Sequence, residues 1–503
     1  MTITALTSAG RPANMPLTRD VSPEHLVAPF RVPVGQAAGR TGELQFTETL
    51  RWLPGKRLVG AGRWHDEPVL IKLFYGDGAR KNWRREDRGY ATLARAGISA
   101  PSVLHSGPVD GTAAFVLVAS WLADAQTPRS ALQNATSDGE RLAIFSDLVD
   151  HVAANHNAAV VQNDMHLGNF LLADGKVYSI DGARVRMHGR LSRHTRSQNL
   201  AAFFALLPLR MLSAVPQLFQ RYAQATGFFT NREAIAAIER HTARLRREST
   251  RRHLKKMFRN CTDIKVDRNG DLRRIYVRKL DGADPGCELN LSAIEQPPDG
   301  ARMLKQGNTC TIWTRELLGR VLAVKRYNIK NALHGLKLAL RQSRALKSWR
   351  NAHRLLFHGI ATPAPIAAIV EKRGPFTRRA WFLAEWVDAQ NAAEFFAFDR
   401  AMNADEALVA RRLCDLVQLL SMNGIVHGDM KATNFLICRD DVLLLDLDAM
   451  REPRFGWLAR RGCARDRRRF LANWRDRPEL LRQFETLLNG GSAEAAGPGN
   501  NKG

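Results

Sequence analysis

Two segments of the chain share the pattern Asp-Met-x-x-x-Asn-Phe-Leu, which sets an aspartate and an asparagine five residues apart. The first segment contains Asp164 and Asn169, and the second contains Asp429 and Asn434. Phosphoryl transfer needs one group that orients the acceptor hydroxyl and others whose oxygens hold Mg²⁺. The spacing therefore predicts this chemistry, with Asp164 and Asp429 as the bases that orient the hydroxyl and take its proton.

The metal ligands of such a site would be the asparagine of the loop and a second aspartate at the end of a strand. In both segments an apolar run follows the loop and ends in an aspartate 17 positions after the first one. The predicted metal ligands are Asn169, Asp181, Asn434 and Asp446. Lys431, two residues after Asp429, is predicted to contact the transferring phosphate, whereas the first segment has His166 at that place.

Nucleotide phosphates also need a cation, and each half has a lysine inside an apolar, strand-like run. These lysines are Lys72 in VLIKLF and Lys325 in VLAVKRY. A glutamate on the following helix can hold such a lysine by an ion pair, and Glu86 has the expected place in the first half. The corresponding residue of the second half is Ser348. Because serine carries no charge, Lys325 must find another partner or act alone.

The elements that position these groups recur in the same order in both halves. In the first half, two strand-like runs flank a Gly-Ala-Gly loop at 60–62, and a helical pattern after the lysine strand ends at Gly97. Both halves continue with Gly-Ile-x-x-Pro, at 97–101 and 359–363, then with an apolar strand and a helical stretch that leads to the Asp-Met loop. A duplication with a longer insertion in the second copy explains this order.

The repeat predicts an α+β fold of two tandem protein-kinase-like domains, each with a small β-rich N-lobe and a mainly helical C-lobe. The expected bounds are a flexible tail at 1–40, domains at 41–260 and 261–488, and a disordered tail at 489–503. The basic stretch at 241–260 is predicted to be the last helix of the first domain. A hairpin around Asn269 and Gly270 is expected to open the second.

The formal charge of +26 favours a polyanionic partner, which could be a nucleic acid, an anionic membrane or a phosphorylated substrate. Two clusters concentrate this charge, at 240–259 and 454–470, and the second interleaves arginines with Phe455 and Trp457. Such a stripe suits an anionic membrane interface and also nucleic acid, and a solvated helix face is the plainer alternative. Beyond charge, no nucleic-acid-binding signature is visible, so nucleic acid is an unlikely partner.

The remaining composition favours a cytoplasmic protein. None of the six cysteines lies in a Cys-x-x-Cys pair, which argues against a disulfide framework or a zinc site. The N-terminus lacks the pattern of a secretory signal. The longest apolar stretch, at 200–209, is about half of the roughly 20 residues that a membrane span needs, so we expect a buried helix there. The oligomeric state is left open.

With these motifs the chain resembles the lipopolysaccharide core kinases, the Kdo/heptose kinase group related to protein kinases. The resemblance rests on VLIKLF…NWRRE…AGISAP in the first half and on SRALKSWRNAHRLLFHGIATPAP…VHGDMKATNFLI in the second, and covers roughly 45–480 in two copies. It implies ATP and Mg²⁺ as cosubstrates and a heptose or Kdo hydroxyl of the lipopolysaccharide core glycolipid as acceptor. It also implies peripheral work at the cytoplasmic face of the inner membrane.

The two copies depart from the kinase pattern in different ways. The first has Gln162 where such folds usually have a histidine, whereas the second keeps His427. After the strand the first has Asp-Gly-Ala and the second Asp-Leu-Asp, in place of Asp-Phe-Gly. Because its loop is the fuller match, the second copy is the more probable catalyst by this reasoning. A protein Ser/Thr kinase and a tandem pseudokinase scaffold in lipopolysaccharide assembly remain the alternatives.

Overall fold

The computed structural model describes residues 3–6, 12–15, 28–37, 40–278, 280, 284–287, 289–317, 319–328, 343–374, 376–397, 400–438 and 441–490. The C-terminal tail predicted at 489–503 lies outside these ranges beyond Gly490, and so does about half of the N-terminal tail predicted at 1–40. So does 329–342, the beginning of the basic helical stretch of the second half. The chain divides into two compact units, Met1–Leu207 with Met211–Arg246, and Pro208–Arg210 with Arg247–Gly503.

The first unit begins with an antiparallel sheet and one helix. Its elements are β1 (Ile3–Leu6), β2 (Pro12–Met15), β3 (Phe30–Ala37), β4 (Arg40–Leu53), β5 (Arg57–Trp64), β6 (Glu67–Phe74), α1 (Ala79–Arg95), β7 (Val103–Pro108) and β8 (Phe115–Ser120). The strand order is β2-β1-β3-β4-β5-β6-β8-β7. The lysine strand β6 is therefore an inner strand, paired with β5 and β8.

The rest of the first unit is mainly helical. It contains α2 (Pro128–Asn134), α3 (Asp138–Asn157), β9 (Val160–Gln162), β10 (Phe170–Ala173), β11 (Lys176–Ser179), β12 (Val185–Met187), α4 (Arg193–Phe204) and α5 (Val215–Thr226). Helix α6 (Arg232–Lys256) contains the boundary between the units, which is earlier in the chain than the join expected at 261. The first five residues of the apolar stretch at 200–209 form the end of α4, where Leu200, Phe203 and Phe204 are fully buried, and the stretch continues past the helix at 205–209, so the predicted buried helix is confirmed for 200–204.

The second unit also begins with an antiparallel sheet. Its elements are β13 (Ile264–Asn269), β14 (Leu272–Val277), α7 (Leu291–Ile294), β15 (Met303–Gln306), β16 (Cys310–Leu317), β17 (Arg320–Tyr327), α8 (Arg344–Phe357), β18 (Pro365–Arg373) and β19 (Phe376–Glu385). The order is β13-β14-β18-β19-β17-β16-β15. The predicted hairpin is confirmed, because β13 and β14 pair around Gly270, whose φ of 55° suits a tight turn.

Helices dominate the remainder of the second unit. These elements are β20 (Gln390–Asn391), α9 (Ala392–Phe395), α10 (Ala404–Met422), β21 (Phe435–Cys438), β22 (Asp441–Leu444), α11 (Gly456–Leu471) and α12 (Pro478–Gly490). Their core contains an aromatic cluster in which Phe470, Trp474 and Phe484 pack within about 6 Å of one another. Across the part of the chain that the structure describes, no helix is long and apolar enough to cross a bilayer.

Five strands of each sheet share one order around the lysine strand. In the first unit they are β4-β5-β6-β8-β7, and in the second β15-β16-β17-β19-β18. The additional strands extend opposite edges of this set: β1–β3 adjoin β4, whereas the β13–β14 hairpin adjoins β18. Both units are thus mixed α+β, with the same five-stranded arrangement and different edge extensions.

Strand periodicity determines which way each lysine faces. Because side chains alternate across a strand, Val69, Ile71 and Leu73 of β6 enter one core, while Lys72 and Phe74 face the other side. Phe74 packs there with Tyr90 of α1. In β17, Leu322 and Val324 likewise enter one core, and Lys325 and Tyr327 face the opposite side, where Tyr327 packs with residues of α8. Each lysine is therefore directed toward its helix.

The prediction of a Gly-Ala-Gly loop at 60–62 is wrong. These residues lie inside β5, and the turn that precedes β5 is formed by 54–56. A Cβ atom at Gly60 would lie 2.4 Å from the Glu48 carbonyl, and one at Gly62 would lie 2.3 Å from that of Gln45. The glycines therefore permit close approach of β4 at its register shifts, which a sequence pattern alone does not distinguish from a phosphate-binding loop.

The aromatic cluster generates a prediction for stability. Replacing the fully buried Phe484 by alanine leaves a cavity among Phe396, Phe470 and Trp474, and we expect a loss of about 3–5 kcal/mol in the free energy of unfolding of the second unit. The matched control is Phe455→Ala, because Phe455 is 55% exposed. Chemical denaturation checks the difference, and equal losses for both variants would contradict the assigned core.

Candidate active site

The lysine of the first unit is held in a buried ionic cluster. Lys72 pairs with Glu86 of α1, and its amine also donates to the Ile180 carbonyl at 2.7 Å. The Tyr90 ring lies 5.1 Å from the amine, and the Tyr90 hydroxyl donates to the same carbonyl at 2.8 Å. Burial by itself would lower the pKa of Lys72, but its interactions with Tyr90 and Glu86 outweigh burial and raise it. The lysine is therefore charged and fixed.

Glu86 has a second cation and a backbone contact around it. Arg57 of β5 lies 3.7 Å from Oε2 of its carboxylate, and the Gly182 amide donates at 3.3 Å to Oε1, the oxygen that pairs with Lys72. Helix α1 approaches the loop after Asp181 so closely that a Cβ at Gly89 would lie 1.8 Å from the Gly182 carbonyl. The first unit thus contains a cation–anion–cation cluster, Lys72–Glu86–Arg57, whose acid comes from the helix.

The catalytic-loop residues of the first unit are connected through main-chain groups. The Asn169 amide donates to the Asp164 carbonyl at 2.7 Å, so its amide oxygen is left to act as a ligand. Gln162 donates to the Asp181 carbonyl at 2.8 Å, and the Gln162 carbonyl accepts from Asn199 at 2.8 Å. Gln162 therefore spans the loop and the end of the strand, which is one of the functions a histidine could serve at this place.

Behind this loop lies a neutral buried hydrogen-bond chain. His156 contacts the Asn199 amide oxygen at 3.0 Å and the Tyr222 hydroxyl at 2.7 Å. Burial lowers the pKa of His156 to about 4, so the imidazole is neutral near pH 7. The chain Tyr222–His156–Asn199–Gln162 supports the loop without a buried charge.

A cleft of about 420 Å³ brings several predicted residues of the first unit together. Lys72, Asn169 and Asp181 line it, and so do Arg51 and Arg57, which the sequence reasoning did not select. Its apolar wall includes Leu50, Val59, Leu70, Trp121 and Leu171. An apolar wall beside three cations and an Asp–Asn pair suits a ligand with a flat apolar part and a phosphate chain.

In the second unit the lysine has a different environment. Lys325 pairs with the strand-end Asp446 at 2.5 Å and with Asp448 at 3.8 Å. Ser348 of α8 takes the place that Glu86 has in the first unit, and its hydroxyl contacts that of Tyr327 at 2.8 Å. Although burial alone would raise the pKa of Asp446, the Lys325 ammonium outweighs burial and lowers it, so the carboxylate is ionised.

Asp448 joins the lysine to helix α8. It is largely buried, with 8% of its side chain exposed, and its Oδ2 accepts from Arg344, the first residue of α8, at 2.8 Å. Asn351, in the middle of α8, donates to the carbonyls of Leu447 and Met450 at 2.8 and 2.9 Å. Helix α8 is thus fixed to the loop after Asp446 by polar contacts, where α1 uses the Gly89–Gly182 approach.

The catalytic loop of the second unit contains the predicted residues in close connection. Asn434 donates to the Asp429 carbonyl at 2.8 Å, as Asn169 does to Asp164. Lys431 lies 3.1 Å from the Asp429 carboxylate, which places a cation beside the predicted base. His427 contacts the Leu445 carbonyl through Nε2 at 2.8 Å and thereby joins the loop to the strand before Asp446.

Asp466 of α11 is a residue that sequence reasoning missed. Its carboxylate accepts from the backbone amides of His427 and Gly428 at 2.6 and 3.0 Å, and so holds the loop before Asp429. Burial raises the pKa of this carboxyl group, although these two hydrogen bonds oppose the shift. In the sequence Asp466 is the one acid among the arginines of 454–470, a pattern that by itself indicates only a charge cluster.

The predicted metal ligands form one carboxylate–amide pair in each unit. In the described residues, no group of three or more His, Cys, Asp and Glu side chains could hold a metal ion. Mg²⁺ commonly uses only one or two protein carboxylates and completes its shell with water and substrate phosphates. The ionised Asp446 and the available amide oxygen of Asn434 fit that requirement.

An inner-strand lysine, an Asp…Asn loop and a strand-end aspartate, under a five-stranded antiparallel sheet and beside helices, define a protein-kinase-like fold. Residues 306–466, within the second unit, match the model of the Lipopolysaccharide kinase (Kdo/WaaP) family. This region of the chain is therefore similar to a family of lipopolysaccharide kinases, which are phosphotransferases with a sugar hydroxyl as acceptor.

Solved structures similar to the chain include two kinases. One is WaaP in complex with acyl carrier protein, at 17% identity over 39% of this chain and 88% of that chain, with a TM-score of 0.30. Another is the PknI kinase domain of Mycobacterium tuberculosis, at 15% identity over 41% of this chain and 99% of that chain, with a TM-score of 0.27. Among curated proteins, none matches the chain.

The close approach of α1 to the loop after Asp181 gives a prediction. Gly89→Ala places a methyl group against the Gly182 carbonyl, so α1 must shift and the Lys72–Glu86 pair with it. We expect a loss of about 1–3 kcal/mol in the free energy of unfolding of the first unit. Gly139→Ala in α3, where the added methyl has only an ordinary van der Waals contact, 3.8 Å from Ser137 Oγ, is the control and should be neutral or stabilising. Chemical denaturation distinguishes the two variants. An unchanged free energy of unfolding for Gly89→Ala would contradict the close approach of α1 to the Gly182 carbonyl.

Proposed function

We propose that the chain is an ATP-dependent kinase that phosphorylates a heptose or Kdo hydroxyl of the lipopolysaccharide core, with the second unit as the catalyst. The observation that carries this proposal is the match of 306–466 to the lipopolysaccharide kinase family, because that region contains the whole predicted set. Lys325, Asp429, Lys431, Asn434 and Asp446 all lie inside it. Together they supply the residue types that phosphoryl transfer to an alcohol uses.

In this proposal each side chain has one role. The Asp429 carboxylate orients the sugar hydroxyl and accepts its proton as the oxygen attacks the terminal phosphorus of ATP, and the bond from that phosphorus to the bridging oxygen breaks so that ADP leaves. Lys431, beside that carboxylate, stabilises the negative charge of the transferring phosphate. Lys325 holds the other nucleotide phosphates. Asn434 and Asp446 would hold Mg²⁺, which when bound neutralises charge on the phosphate chain.

We further propose that the first unit is a second kinase-like copy that binds nucleotide. Its support is the cleft lined by Lys72, Asn169 and Asp181, together with the ion pair between Lys72 and Glu86. The tandem arrangement rests on the order of strands that both units share around their lysines. The loop has no lysine at the position of Lys431; His166 is there instead, and its Nδ1 accepts from the Gly168 amide at 3.0 Å. Phosphate transfer is therefore assigned to the second unit.

Substitution of the two bases tests this assignment. We expect Asp429→Asn to lower phosphate transfer to lipopolysaccharide core by about 10²-fold or more, because the hydroxyl loses its base. Asp164→Asn should leave transfer within about threefold of the wild-type rate if the first unit only binds nucleotide. The control is Asp476→Asn, which makes the same chemical change at an exposed site.

Mass spectrometry of core oligosaccharide made with each variant, and transfer of labelled phosphate from ATP, provide the measurements. Loss of transfer with Asp164→Asn alone would assign catalysis to the first unit. Labelling of a protein in place of the core would favour a Ser/Thr kinase. Absence of both transfer and nucleotide binding in the wild-type chain would favour a pseudokinase scaffold.

A peripheral position at the cytoplasmic face of the inner membrane is part of the proposal, and one surface supports it. Met422 at the end of α10 and Trp457 at the start of α11 are 72% and 57% exposed, and Phe455 and Leu458 are exposed beside them. The two helix ends adjoin, because Ala459 lies 3.4 Å from the position of a Cβ at Gly424. We call these four apolar residues, with the exposed Arg454, Arg460 and Arg461, the α11 patch.

The composition of the α11 patch fits an anionic lipid surface. Trp and Phe partition to the interfacial zone, Leu and Met can enter the acyl boundary, and each arginine near the surface contributes on the order of 1 kcal/mol. Nucleic acid would use the arginines and aromatic rings, but has no comparable use for Leu458 and Met422. The apolar side chains therefore favour lipid over nucleic acid.

Vesicle binding tests the α11 patch. We expect the full chain to sediment with phosphatidylglycerol-containing vesicles, and Phe455→Ser with Trp457→Ser to weaken that binding by about tenfold or more because buried aromatic area is lost. Phe229→Ser is the control, since Phe229 is 61% exposed and lies in the first unit. Equal binding by the double variant and the wild type would exclude the patch, and stronger binding to RNA than to vesicles would favour nucleic acid.

A further inference from the structure

The two lysines meet the same electrostatic demand with different sets of residues. A buried ammonium group loses its hydration and needs an opposite charge nearby. In the first unit the acid is Glu86 of helix α1, and it lies between Lys72 and Arg57. The helix thus contributes the anion, and the two cations belong to neighbouring strands, β5 and β6.

In the second unit the place of that glutamate is occupied by a serine. Ser348 is 2% exposed, and its hydroxyl is taken by the hydroxyl of Tyr327 from the lysine strand. The Tyr327 ring lies 5.2 Å from the Lys325 amine, nearly the distance that separates Tyr90 from Lys72. The aromatic neighbour of the lysine has therefore moved from the helix to the strand, and the helix carboxylate has been lost.

The described acids that pair with Lys325 are Asp446 and Asp448. Asp446 has a task of its own in the proposed reaction, because a carboxylate that holds a metal ion has less charge to offer the lysine. Asp448 has no such task. Its carboxylate is largely buried and lies between the Lys325 amine at 3.8 Å and the Arg344 guanidinium at 2.6 Å.

We propose that Asp448 is the positioning residue for Lys325 and replaces the missing helix glutamate. The cluster Lys325–Asp448–Arg344 repeats the charges of Lys72–Glu86–Arg57 with the elements exchanged: the loop supplies the anion and helix α8 supplies a cation. The orientation of α8 is thus coupled to the lysine through Arg344. This inference rests on the proposed function, since it concerns how the second unit presents Lys325 to the nucleotide.

The exchange predicts that a helix acid can replace Asp448. Asp448→Asn keeps the shape of the side chain and removes its charge, so Lys325 loses a fixed partner. We expect kcat/KM for ATP to fall by about 10- to 100-fold, mainly through KM, because the buried charge pairing is broken. Adding Tyr327→Phe and Ser348→Glu to this variant introduces the residue types of the first unit, Phe74 and Glu86, and should restore at least about a tenth of the wild-type value.

The measurements separate positioning from stability and from the proposed function itself. ATP kinetics are measured on the full chain with Asp476→Asn as control, and nucleotide affinity is measured by equilibrium titration with MgATP in a Lys72→Met background, so that the second unit is observed. Thermal unfolding is followed for every variant. A wild-type chain that transfers no phosphate would contradict the proposed function, but the affinity comparison would still test Asp448.

Weaker MgATP binding by Asp448→Asn and its recovery on adding Ser348→Glu with Tyr327→Phe would support the inference. Wild-type affinity in Asp448→Asn would overturn it. A second outcome would also overturn it: the variant with the added glutamate unfolds at the wild-type temperature but still binds MgATP weakly. A carboxylate on the helix would then be no substitute for Asp448.

Discussion

A buried lysine ammonium on an inner strand is the constraint on which the rest of each unit depends. Strand alternation turns Lys72 and Lys325 toward a helix and away from the apolar face of the sheet. Once there, the charge requires an acid at a short distance, or burial would neutralise it. The helix, the loop after the strand-end aspartate and the neighbouring strands are all arranged around that requirement.

The two units place an acid beside the buried lysine through different packing. In the first, helix and loop approach until Gly89 and Gly182 touch, and a helix acid reaches the lysine. In the second, Asn351 bonds the loop carbonyls, and the acid comes from the loop itself as Asp448. The catalytic loops also differ in this way. In the first unit the loop is held by two amide side chains, since Gln162 donates to the Asp181 carbonyl and Asn199 donates to the Gln162 carbonyl. In the second unit it is held by His427, which contacts the Leu445 carbonyl, and by the Asp466 carboxylate, which accepts from the His427 amide.

Local sequence patterns are sufficient to predict several features of the structure. Helical periodicity and a glycine stop place Glu86 on α1, and the structure shows its pairing with Lys72. The Asn-Gly turn correctly predicted the β13–β14 hairpin, because that turn type depends on two residues. Gly60 and Gly62 were misjudged, since a glycine inside a strand and a glycine in a loop look alike until the partner strand is known. Asp466 was overlooked because its role depends on a loop 38 residues earlier in the chain.

The repeated order of chemical groups can be predicted from the amino-acid sequence alone, because strand and helix periodicity and the spacing within one loop are local properties. The tertiary structure decided which acid meets which lysine. That choice depends on contacts between residues more than 100 positions apart, as in Lys325 with Asp446 and Arg344 with Asp448. The acid that compensates a buried lysine is its neighbour in the folded structure. The linear order of residues does not specify which distant acid that neighbour is.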